Sequence, residues 1–206
     1  MISFHNDQKI KTKYLNRVIA HQKADNLVRG TGWDGQKGCA VGCTLERYNH
    51  KAFEEELGIP EWLARVEDKL FEGMSEARAM KWPGVFLESI PLGVDLNRAR
   101  APFILVILNK NVETLESLKE KSLPDDVARA IKGSKKATLQ MIEAQKSGDP
   151  DSIESAESAA RSAARSARSA AGAAAGAAAW SAARSARSAA FDYFADELIK
   201  IFRSLK

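Results

Sequence analysis

Between Asp151 and Ala190 the chain draws almost entirely on Ala, Ser, Arg and Gly, and a short aromatic and apolar segment ends it at Lys206. Ala has the highest intrinsic helix propensity, so this stretch is helical with little tertiary help. Asp149-Pro150 marks its start, because Pro suits a first helical turn in which its missing N–H is not needed. An unbroken helix over such a length would run to about 80 Å, longer than a compact domain of this size is wide, so the segment is expected to bend or break.

The block Ala163–Ala171 recurs as 182–190, and Gly172 and Gly176 stand between the copies. Glu157, Arg161, Arg165 and Arg168 share one helical face, while Ala156, Ala163, Ala167, Ala170, Ala174 and Ala178 lie opposite. The Arg stripe reads as a solvated face rather than a nucleic-acid surface. The smooth Ala face admits a closely packed partner helix, and self-association through this tail is expected because a small domain cannot cover so long a face. Phe191, Phe194, Leu198, Ile201, Phe202 and Leu205 then recur at helical spacing and belong in a core.

Upstream, the apolar positions Ile10, Tyr14, Leu15, Val18, Ile19 and Leu27 predict a first helix capped by Asn6 or Asp7 and closed at Gly30. Pro60 opens a helix that Gly73 stops, Ser75 caps a short one that ends at Trp82-Pro83, and 84–90 forms another. The run Phe103–Leu108 is assigned to helix because no second strand candidate exists to pair with it. Helices over 112–121 and 124–146 follow. The expected fold is all-α: a helical region over 1–148 and an Ala-rich segment over 149–206 packed on it as one domain. A 45% apolar content agrees with a packed globular chain, and a net charge of +4 does not demand nucleic acid. No apolar stretch is a secretion signal or a membrane span, and two cysteines are no disulfide framework, so a cytoplasmic protein is expected.

Gly38-Cys-Ala-Val-Gly-Cys-Thr44, followed by Glu56-Leu-Gly-Ile-Pro-Glu-Trp-Leu-Ala-Arg-Val-Glu-Asp-Lys-Leu-Phe-Glu-Gly73 and the Ala-rich tail, resembles a scattered family of uncharacterised bacterial and phage proteins. The resemblance covers about the first ninety residues and, loosely, the tail. It implies a mobile gene with a phage-like life and no particular mechanism.

The chemistry is concentrated in the segment 29–44. Four glycines in nine residues make 30–38 a loop, and Cys39 and Cys43 then share one face of a short helix. With His21 and His50 the cysteines could form a two-Cys, two-His zinc site, but their spacing is not that of a zinc knuckle, and no metal or cofactor is assigned. A Cys–His nucleophile lacks an orienting acid, and inert buried thiols are the simpler reading. Gly30-x-Gly32-x-x-Gly35 follows no strand, so the dinucleotide fingerprint does not apply. The loop instead suits an anionic, nucleotide-like ligand. Gly38 and Gly42 would offer backbone N–H groups, Arg29 and Lys37 charge, Trp33 a stacking face, and Cys39, Cys43 and His21 the remaining lining. The expected function is therefore non-catalytic binding of such a ligand by a homo-oligomer, in a phage setting as the sequestering of a host defence signal. The alternative is a helical protein that docks or inhibits a protein partner through its tail.

Overall fold

The computed structural model describes residues 1–117, 125–172 and 177–205. Among these the elements are α1 (Gln8–Lys23), α2 (Ala40–Leu45), α3 (Ala52–Leu57), α4 (Glu61–Gly73), α5 (Glu76–Ala79), α6 (Trp82–Ser89), α7 (Arg100–Ser117), α8 (Asp125–Ser147), α9 (Pro150–Gly172) and α10 (Ala177–Ser204), with two 3₁₀ turns. The described residues hold isolated β-bridges but no strand, so the protein is all-α. No described helix is long and apolar enough to cross a membrane. The chain divides into two compact units, Met1–Arg100 with Arg184–Lys206, and Ala101–Ala183.

In the first unit the Asp7 carboxylate accepts the Lys9 N–H at 2.7 Å and caps α1. The helix ends seven residues before the expected Gly30, because Asp25 turns left-handed (φ 55°) and the Asn26 N–H returns to the His21 carbonyl. Leu27 is therefore buried from the loop and not from the helix. Pro60 precedes α4 and Gly73 ends it, where the Phe191 ring comes within 2.6 Å of where a Cβ would stand. Trp82-Pro83 begins α6 where the sequence suggested the end of α5, since Pro fits a first turn as well as it terminates a helix. Phe53, Phe71, Phe86 and Phe202 are fully buried together with Leu63 and Leu198. Phe86 and Phe202 meet edge-on, with centroids 5.8 Å apart. Leu198, Phe202 and Leu205 of the terminal stripe are thus core, a side chain of this kind contributing about 2–3 kcal/mol when fully buried. Phe191, Phe194 and Ile201, expected there too, are only half-buried because they lie at the margins of the stripe. Arg78 fastens this end of the chain from outside, donating to Asp196 at 3.0 Å.

The second unit is built on an antiparallel hairpin. Gly148 (φ 69°) ends α8 with its N–H on the Ala144 carbonyl, and the Asp149 carboxylate caps α9 at the Ser152 N–H, 2.9 Å away. Met141, Ala144 and Ala156 are buried between the helices, with Leu108, Ile153 and Ala160 packed against them. Lys135 reaches Glu116 at 2.8 Å and ties α8 to α7. The expected division between 148 and 149 falls in this hairpin turn. The two pieces expected over 101–108 and 112–121 form one helix as far as Ser117. Residues 118–124 and 173–176, and the side chains of Ala167, Arg168, Ala170, Ala174 and Ala178, lie outside the described residues.

Candidate functional site

Gly32, Gly38 and Gly42 let the 29–39 loop lie directly on α2. A Cβ on Gly42 would sit 1.9 Å from the Gly32 carbonyl oxygen, one on Gly38 would sit 2.4 Å from the same atom, and one on Gly32 would sit 2.7 Å from the Tyr48 ring. These glycines serve close approach of backbone to backbone and to a ring. Several backbone donors of the loop are already engaged. Gly38 N–H reaches the Asn26 carbonyl at 3.0 Å, Cys39 N–H the Thr31 carbonyl at 2.7 Å, and Lys37 N–H the Asp34 carboxylate at 2.7 Å. α2 is only six residues long, too short for a strong dipole.

Of the eight ligand-site residues expected from the sequence, Trp33, Gly38, Gly42, Cys43 and His21 come together around α2, while Arg29 turns away. Trp33 meets His21 edge-on at 5.4 Å, and the exposed Lys37 shares its stretch of loop. Arg29 turns instead toward the end of α4, donating from Nη2 to the Met74 carbonyl at 2.7 Å while its buried Nε has no partner. The Cys43 thiol donates to the Gly38 carbonyl at 3.4 Å, and burial pushes its pKa up to about 12. Cys39 is driven higher still, by burial first and then by the Asp68 carboxyl, so both remain thiols at neutral pH. Among the described residues no three His, Cys, Asp or Glu side chains form a set that could hold a metal ion, so Cys39, Cys43, His21 and His50 do not converge on one.

What the loop does build is a cleft of about 390 Å³ against α4, lined by Gly30, Thr31, Gly32, Cys39, Tyr48, Asp68, Lys69 and Glu72. Only Cys39 was expected there. On one side of it, Asp68 Oδ2 accepts the Tyr48 hydroxyl at 3.1 Å and lies 3.2 Å from His50 Nε2. Asp68 Oδ1 is buried with no hydrogen-bond partner. The Glu72 carboxylate accepts the Gly30 N–H at 2.9 Å and so fixes the loop to the helix. Burial, followed by the Asp68 charge and hydrogen bond, raises the Tyr48 hydroxyl to about 12, which keeps it a donor. Next to Asp68 in α4, Glu67 is 1% exposed, and burial, reinforced by Asp68, lifts its pKa well above that of an ordinary carboxyl. A neutral Glu67 removes like-charge repulsion from Asp68.

Two carboxylates against the single Lys69 make this an acceptor-rich cleft, in contrast to the cationic, N–H-lined cradle that the loop suggested. One sequence signal pointed to it. Glu67 occupies the apolar register of α4 with Leu63, Ala64, Leu70 and Phe71, and a carboxyl at a core register marks a polar site nearby. The approach of Tyr48 and His50 to Asp68 has no such signal, since it joins residues eighteen and twenty apart through tertiary packing. Comparison with protein-family models, curated proteins and solved structures gave no match, so the reading of this protein rests on its own residues.

Proposed function

We propose that the protein is a non-catalytic binding protein for a small nucleotide-like molecule, which it takes base-first into the cleft beside α4. The observation that carries this reading is the pairing of the Asp68 and Glu72 carboxylates with the half-exposed Tyr48 ring in one recess. Carboxylates accept from N–H groups, and an aromatic ring offers a face for stacking. Guanine fits best among the bases, because N1–H and the N2 amino group stand side by side as donors, and Asp68 and Glu72 make the recess rich in acceptors. Adenine and cytosine would turn a ring-nitrogen lone pair toward the acid. Catalysis is not part of the proposal: both thiols are held protonated, and no activated nucleophile faces the cleft.

Calorimetry with guanosine, adenosine, cytidine and inorganic phosphate tests this. Guanosine should bind, phosphate alone should give no heat, and Asp68→Asn should weaken guanosine by about ten- to a hundredfold, as the loss of a charge-assisted pair requires. Heat from phosphate that disappears with Lys37→Ala and Arg29→Ala would instead support the anion site on the loop. Silence from every compound would defeat the binding proposal altogether.

A further inference from the structure

We propose that the α8–α9 hairpin is a self-association surface, on which a second copy of the chain packs with its α8 antiparallel to the first. The hairpin carries an open groove of about 930 Å³ whose apolar lining includes Leu139, Ala144, Ala156 and Ala159. Leu139 is 45% exposed on its rim, an apolar side chain left in water by the fold of its own unit.

The occupant is indicated by the charge order along α8. Lys136, Leu139, Gln140 and Glu143 fall at spacings of three and four on one helical face, and Lys136 and Glu143 are both exposed. This face is its own complement under reversal. A two-fold axis between Leu139 and Gln140 sets Lys136 of each copy against Glu143 of the other, and places the two Leu139 side chains beside one another at the centre. Farther out, the same operation brings Arg129 toward the hairpin turn of the second copy, where Asp149 and Asp151 lie. Parallel packing would oppose like charges along the whole seam. Within its own chain Glu143 pairs with Lys146 at 3.0 Å, but that bond joins exposed groups three residues apart and exchanges readily for an intermolecular one. An isologous contact of this kind closes on itself and stops at a dimer.

Sedimentation velocity on the full-length protein tests the proposal through a charge swap. The parent should be a dimer. Lys136→Glu alone, or Glu143→Lys alone, should weaken dimerisation by about tenfold or more, since each places like charges opposite one another twice. The double variant Lys136→Glu/Glu143→Lys should restore it. Unchanged far-UV circular dichroism will show that each variant keeps its helices. A monomeric parent overturns the proposal, as does a dimer indifferent to the single reversals, and a double variant that stays monomeric overturns the antiparallel register.

Discussion

Replacing Gly42 with Ala should lower the melting temperature of the first unit, although the residue sits inside a helix where Ala is intrinsically favoured by about 1 kcal/mol. The added methyl would stand 1.9 Å from the Gly32 carbonyl oxygen, a backbone atom that cannot rotate away. Relief requires lifting the 30–33 segment off α2, which would also break the Cys39 N–H bonds to Thr31 and Gly32 and open the cleft. Overpacking of this sort costs about 1–3 kcal/mol and more where only backbone can yield, so a drop of several degrees is expected. Gly133→Ala provides the opposing control. Gly133 lies in α8 with nothing within 4 Å of where its Cβ would stand, so propensity acts alone and the variant should be more stable. If Gly42→Ala also stabilises, the glycines of the 29–44 segment are not there for close packing.

Glu67→Gln should abolish a fall in stability with rising pH that the parent shows. In the folded protein Glu67 keeps its proton well above the usual carboxyl range, because burial penalises the charged form and Asp68 adds repulsion. The unfolded chain releases that proton near pH 4.3. Above this value the folded state binds one more proton than the unfolded state, so stability falls as pH rises, by about 1.4 kcal/mol per unit, until the folded pKa is passed. The stabilising contribution is complete below pH 4.3 and is lost toward neutral and alkaline pH. With Gln in place this slope disappears. Urea denaturation midpoints of parent and variant should converge in acid and separate as pH rises, the variant gaining. Parallel profiles would mean that Glu67 ionises as readily in the fold as out of it.

The helical class and most helix positions were legible in the sequence because they rest on local rules. Asp7, Pro60, Gly73 and the Asp149-Pro150 pair each act within one or two turns of their own position, and the structure uses each of them where expected. The terminal stripe of Leu198, Phe202 and Leu205 also declared itself as core through periodicity alone. Where the reading departed from the structure, tertiary contacts made the difference. α1 stops short because Asn26 and Gly38 bind each other across the loop, pulling Leu27 out of the helical path. The 29–44 glycines resembled a phosphate cradle since the same residue type serves two ends, exposing backbone N–H groups or admitting a neighbouring backbone. Only the Gly32 carbonyl against Gly38 and Gly42 distinguishes them. The Tyr48–Asp68–His50 arrangement joins the connection between α2 and α3 to α4, and no spacing rule reaches that far.

Proton–nitrogen correlation spectra of the labelled protein titrated with guanosine locate the bound base, because each loop amide reports separately. Shifts are expected at Gly30, Thr31, Gly32, Cys39, Tyr48, Asp68, Lys69 and Glu72 along the cleft, with the Trp33 indole and the Lys37 amide unmoved, and Asp68→Asn should need about ten- to a hundredfold more guanosine for the same shifts. A spectrum that does not move, or one in which Trp33, Lys37 and His21 move while the cleft residues stay still, would contradict binding in the cleft.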